Sequence, residues 1–175
     1  MSSLSENTIS DPRPSDRRFH TLVLHVENKA GVLARVAGLF SRRGFNIESL
    51  VVAPTETDAI SRITIMVDQD SAPIEQIVKQ TDKLINVVDI ADLAPDDSVE
   101  RELILVTISS NVETRGDVLA SVDDFSPTVI DSSDSHVMLS FSGRPARVDD
   151  FEDVLRGYEI VDLQRTGRVA LPRLS

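Results

Sequence analysis

The stretch Phe19-His-Thr-Leu-Val-Leu-His-Val-Glu-Asn-Lys-Ala-Gly-Val-Leu-Ala-Arg-Val-Ala-Gly-Leu-Phe40 sets the architecture of the chain. Phe19 to Val26 is rich in apolar and β-branched residues and reads as a strand. Glu27 to Gly31 is a turn. Val32, Leu33, Val36, Ala37 and Phe40 then recur at helical spacing and share one face, while Arg35, Arg42 and Arg43 are polar. The two last-turn arginines suit the negative end of a helix, and Gly44 stands where a C-terminal cap belongs. The spacing predicts a helix from about Val32 to Arg43.

Beyond this stretch, Asn46 to Pro54 reads as a strand through Ile47, Leu50, Val51 and Val52. Thr55 to Asp58 is a polar hairpin connection. Ile60 to Val67 is another strand, with Ile63, Ile65 and Val67 on one face. Pro73 can open a second helix, for which Ile74, Ile77, Val78, Leu84 and Ile85 are compatible apolar positions. Val87 to Leu93 closes the unit as a strand. The order βαββαβ is that of the ferredoxin-like arrangement, an antiparallel four-stranded sheet with both helices on one face.

After a polar linker, Ala94 to Ser98, the order repeats. Strands are expected at Glu102–Ser109, Thr128–Ser132, Val137–Phe141 and Glu159–Gln164, and helices at Arg115–Val122 and Val148–Leu155. Val32-Leu-Ala-Arg-Val36 is echoed by Val118-Leu-Ala-Ser-Val122, a weak repeat beside the firmer repeat of elements. The fold class is α+β: two ferredoxin-like βαββαβ units with antiparallel sheets, over 19–94 and 99–172. Residues 1–18, rich in Ser, Pro and charge, read as a disordered tail.

Composition excludes several classes of function. With 29 acidic against 18 basic residues in 175, the net charge is −11. Such a surface repels phosphate backbones, so no nucleic-acid partner is expected. The absence of cysteine removes disulfides, Cys-type zinc sites and thiol nucleophiles. No apolar run approaches the ~20 residues of a membrane helix, and the tail lacks a signal-peptide core. The expectation is a cytoplasmic protein with no membrane partner.

Enzyme signatures are missing as well. The seven glycines form neither G-x-G-x-x-G nor G-x-S-x-G, and Lys29, Lys79 and Lys83 lie in no phosphate loop. His20 and His25 point to opposite faces of one strand, a poor metal pair, and His136 falls in a turn and reads as solvated. The acidic run Asp149 to Asp153 reads as carboxylates at a helix start. No catalytic residue, metal site or cofactor of this chain is expected.

The chemically informative segment is Glu27-Asn-Lys-Ala-Gly-Val-Leu33. A helix N-terminus offers unpaired N–H groups and partial positive charge. Gly31 leaves the approach open and can take positive φ. A small carboxylate could lie on the N–H groups of Gly31, Val32 and Leu33. Asn28 could offer an amide oxygen to an ammonium group or an N–H to the carboxylate. Asn46, at the start of the second strand, could approach the same surface. Together these describe a free-amino-acid site. The competing reading is a βα turn whose Asn and Gly serve turn geometry alone.

Four strings carry a family resemblance: Val26-Glu-Asn-Lys-Ala-Gly-Val-Leu-Ala-Arg-Val36, Gly38-Leu-Phe-Ser-Arg-Arg-Gly-Phe-Asn-Ile-Glu-Ser-Leu50, Val52-Ala-Pro-Thr55 and Ser61-Arg-Ile-Thr64. With Val99-Glu-Arg-Glu-Leu103, Val129-Ile-Asp131 and Arg165-Thr-Gly-Arg-Val-Ala-Leu171, the chain resembles the regulatory (small) subunit of acetolactate synthase, also called acetohydroxyacid synthase. The likeness covers roughly residues 19–171. Thr107, where related chains often carry Lys, and the hairpin Ser132 to Ser135 depart from it.

The resemblance implies an ACT domain over 19–94 and a subunit without chemistry of its own. Such a subunit binds and activates the catalytic (large) subunit and confers feedback inhibition by a branched-chain amino acid, usually valine. Thiamine diphosphate, magnesium and FAD would belong to that catalytic partner. ACT domains pair as a dimer, and the effector lies between them. The implied effector-binding set is Asn28, Ala30, Gly31, Val32, Leu33, Asn46 and Ile47. A stand-alone ACT amino-acid sensor controlling another enzyme or a transcription complex is the alternative, and it gives the second unit no role.

Overall fold

Strand β1 (Phe19–Glu27) is central because both of its faces are apolar. Leu22, Leu24 and Val26 are buried on one side, and Thr21 and Val23 on the other. The computed structural model describes residues 19–68 and 73–174; the tail expected over 1–18 lies outside them. Helix α1 (Val32–Arg42) lays Val36 and Phe40 on the first of these faces. Strands β2 (Ile47–Pro54) and β3 (Ile60–Asp68), helix α2 (Ile74–Thr81) and strand β4 (Val87–Leu93) complete the unit. The sheet order is β2-β3-β1-β4, all pairs antiparallel, as the ferredoxin-like reading requires.

The second unit repeats this order. Strand β5 (Ser98–Ser109), helix α3 (Arg115–Ser121), strands β6 (Thr128–Ser132) and β7 (His136–Gly143), helix α4 (Pro145–Leu155) and strand β8 (Ile160–Arg165) form a sheet ordered β6-β7-β5-β8. Its core joins Ile104, Val106 and Ile108 of β5 to Val118, Leu139, Phe151 and Leu155. Phe125, Phe141 and Phe151 cluster with ring centroids 5.0–5.6 Å apart.

Several boundaries differ from expectation, each for a local reason. Arg43 caps α1 rather than ending it, and Gly44 follows at φ +73°. Helix α2 stops at Thr81; Leu84 packs on the core from the following turn, while Ile85 is 90% exposed. Helix α4 begins at Pro145, since proline fits a first turn whose N–H groups are unpaired in any case. The acidic run Asp149–Asp153 therefore lies inside α4 and past its first turn, and the helix-start reading of it is incorrect. His136 opens β7 and is half-buried, its ring 2.8 Å from Ser135 Oγ.

The largest departure lies at the join of the two units. The linker expected to Ser98 is a single 3₁₀ turn, and β5 starts at Ser98, four residues before the expected Glu102. Residues 98–101 pair with an unanticipated strand β9 (Val169–Pro172). This two-stranded ribbon reaches from the second sheet to the helix-free face of the first. There Thr21 Oγ1 donates to Glu100 Oε1 at 2.7 Å, and Thr21, Thr64 and Met66 are buried.

Candidate functional site

The turn between β1 and α1 is held from three sides. Asn28 N–H donates to Ala59 O at 2.8 Å, and its side-chain amide donates to Asp58 O at 3.0 Å. Glu27 accepts from Lys29 Nζ at 3.1 Å and from Asn86 Nδ2 at 2.5 Å, while Arg35 donates to Asn86 Oδ1. Asn86 therefore ties the turn and α1 to the start of β4. These contacts hold the Glu27 carboxyl below the usual carboxylate range, the Asn86 hydrogen bond first and Lys29 second.

Gly31 is the N-cap of α1, with φ 82° and ψ −8°. No side chain caps this end, and no acidic residue stands in the first turn. Val32 N–H donates to Lys29 O at 3.3 Å and Arg35 N–H to Gly31 O at 3.1 Å. The N–H groups of Gly31 and Leu33 meet no acceptor among the described residues. A β-carbon on Gly31 would meet nothing within 4 Å, so the approach is open. Partial positive charge, free donors and clear space make this end receptive to a carboxylate.

The seven anticipated residues divide into two groups. Asn28, Ala30, Gly31 and Leu33 are exposed together at the turn, whereas the Val32 side chain is buried in the core. Asn46, exposed, precedes β2, and Ile47 begins it half-buried. Register separates the groups. Glu27 is opposite Ile60, while Ile47 is opposite Val67, seven residues along β3 or roughly 23 Å at strand rise. One chain thus places the two groups at opposite ends of its sheet and does not bring Asn46 to the Gly31 surface.

A second polar cluster was not expected from the sequence. Arg165, at the end of β8, donates to Glu102 at 3.0 and 2.7 Å and to Glu152 at 3.1 Å. Asp149 Oδ1 lies 2.8 Å from its Nη2, close as an ion pair but without an aligned hydrogen bond. Burial disfavours the Arg165 charge, yet Glu102 and Asp149 outweigh it and raise the guanidinium pKa. The available signal was the i, i+3 spacing of Asp149 and Glu152, which puts both on one helix face. Cavities of about 730 and 360 Å³ open between the units near β9 and Arg165, and residues 27–33 of the Gly31 turn line neither.

Comparison with known proteins agrees with this architecture. Residues 22–89 match a family described as the AHAS small subunit-like ACT domain, and residues 101–174 match the small subunit of acetolactate synthase. The chain is 45% identical over 154 residues to a probable acetolactate synthase small subunit of Archaeoglobus fulgidus, covering 88% of this chain and 96% of the relative. It is 44% identical to the acetolactate synthase small subunit of Mycolicibacterium smegmatis, covering 88% and 91%. The crystal structure of the acetolactate synthase small subunit from Thermotoga maritima superposes with TM-score 0.83 at 37% identity, covering 90% of this chain and 99% of that one. The first unit is thus an ACT domain, and the chain belongs to the acetolactate synthase small-subunit family.

Proposed function

We propose that this chain is the non-catalytic regulatory subunit of a cytoplasmic acetolactate synthase. It binds the catalytic subunit, raises its activity, and makes it sensitive to a branched-chain amino acid, valine foremost. Thiamine diphosphate, magnesium and FAD belong to the catalytic partner, and this chain carries the effector site.

The observation that carries the effector reading is the open N-terminus of α1, set apart from Asn46 and Ile47 in one chain. Strand β2 is an unpaired edge of its sheet. If two copies pair β2 against β2 about a two-fold axis, the strands run antiparallel. The Pro54 end of one then lies beside the Ile47 end of the other. The Gly31 turn, at the Pro54 end, shares that end with Asn46 and Ile47 of the second copy. The effector carboxylate takes the free N–H groups at Gly31 and Leu33, and its side chain reaches the second copy. Pairing also removes an exposed edge, which a soluble sheet must protect.

The test is reconstitution. Acetolactate formation by the catalytic subunit is measured with and without this chain, against valine, leucine and isoleucine. The expected outcome is co-elution, stimulation, and inhibition by valine only when this chain is present. Unchanged activity without co-elution would refute the assignment.

A further inference from the structure

The turn between β8 and β9 joins the two domains through contacts that favour glycine at its centre. Gly167 has φ +81°, a left-handed conformation that disfavours a side chain. A β-carbon there would also lie 3.1 Å from Val51 Cγ2 and 3.2 Å from Ser49 Cβ. Ser49 and Val51 belong to β2, shortly after Asn46 and Ile47. The backbone of Gly167 therefore rests on the strand that carries half of the proposed effector site.

The residues on either side fasten this contact. Thr166 N–H donates to Leu103 O at 3.0 Å, and Leu103 N–H donates to Thr166 Oγ1 at 3.1 Å, which fixes the turn to β5. Arg165 anchors it in the C-terminal domain through Glu102, Glu152 and Asp149. Arg168 faces the ACT domain. It lies 3.6 Å from Glu100, whose other oxygen accepts from Thr21, and 5.6 Å from the Phe19 ring centroid. Arg165 and Thr166 thus bind the C-terminal domain, Gly167 rests on β2 of the ACT domain, and Arg168 spans both through Glu100 in β5 and Phe19 in β1.

We propose that the turn 165–168 is the joint through which effector occupancy at β2 reaches the C-terminal domain, with Gly167 as its positioning residue. The inference rests on the regulatory reading above. Coupling between sites needs a contiguous physical path whose arrangement both ends bias. Here a shift of β2 moves Ser49 and Val51 against a backbone that has no side chain to absorb it. The displacement passes by hydrogen bonds to Leu103 in β5 and by Arg165 to α4. A side chain at 167 would hold the sheets apart by a few tenths of an ångström and interrupt this path.

The test uses full-length chain and reconstituted holoenzyme carrying Gly167→Ala or Arg168→Ala. Gly44→Ala is the control, because Gly44 is also left-handed (φ +73°) but a β-carbon there meets nothing within 4 Å. Valine binding is measured by calorimetry on the isolated subunit, and stimulation and inhibition on the holoenzyme. Scanning calorimetry reports whether the two domains unfold together.

The wild type and Gly44→Ala should unfold in one transition and be fully inhibited. Both joint variants should bind valine within about threefold of wild type and still stimulate, yet lose at least two thirds of maximal inhibition. Their domains should unfold in separate transitions. Arg168→Ala, free of backbone strain, keeps the test sharp if Gly167→Ala folds poorly. Joint variants that bind valine, unfold in one transition and are inhibited like wild type would overturn the proposal. A wild-type chain that binds no branched-chain amino acid would instead overturn the regulatory reading, and the wild-type arm alone shows that.

Discussion

Among single residues, Gly31 carries the effector reading. Its left-handed φ and the clear space around it make Gly31→Asp tolerable to the fold, at about 1 kcal/mol for the backbone conformation. The new carboxylate would occupy the helix N-terminus and repel an effector carboxylate. Gly31→Asp holoenzyme is expected to keep its stimulation and lose valine inhibition, read as activity against valine, with fold checked by circular dichroism. Glu27 offers a pH test of the same turn. Its carboxyl is held below the ordinary glutamate value of 4.5, so its stabilising contribution is complete only above that value and is lost as pH falls through the lowered one. Asn86→Ala should lower the melting temperature near neutrality, and the gap from wild type should narrow below that pH. The turn itself was legible because a glycine placed between an alternating apolar run and a helical one marks the switch from strand to helix. Asn86 was not, since its partners Glu27 and Arg35 lie 59 and 51 residues away in the chain.

At the level of elements, periodicity located every strand and helix that buries one face in a core. It failed where an element owes its existence to a distant partner. Strand β9 is four residues ending in proline, with Val169 and Leu171 about half exposed; only pairing with residues 98–101 makes it a strand. The start of β5 was hidden for the same reason. Helix α2 was overextended because Leu84 faces the core from a turn, which helical spacing cannot distinguish from a further helical position. The two-fold pairing proposed for β2 is testable on this strand. Val52, 42% exposed on the edge, becomes a deterrent to pairing when charged. Val52→Lys is expected to shift the chain toward monomer at micromolar concentration in sedimentation and to weaken valine binding together with it. A Val52→Lys dimer as stable as wild type would place the interface elsewhere.

In the molecule as a whole, each domain has its own core, yet neither surface is independent. A fragment ending at Leu93 keeps the cluster from Leu22 to Ile77 and should fold. It also uncovers Val23 and Met66, which are 4% and 1% exposed in the full chain. Uncovering them costs about 3 kcal/mol, which urea denaturation would register as a lower midpoint. The fragment should still stimulate the catalytic subunit partly but lose its full response to valine. A fragment inhibited like the intact chain would relieve the second domain of any regulatory part. The division into two α+β units was legible because the element order repeats. Their docking was not, because Thr21, Glu100 and Gly167 carry no periodic signal.

The ribbon of β5 and β9 also has a consequence for the order in which the chain is completed. The Asp96 carbonyl beside β5 waits for Arg173, 77 residues further on, and β5 cannot acquire β9 before that segment exists. During synthesis the ACT domain can close its own core long before its helix-free face is covered. For that interval Val23, Met66 and the edge strand β2 are presented together to neighbouring nascent chains. Two ribosomes on one message would hold such faces near each other, so the β2 pairing proposed above would begin while the chains are still being made.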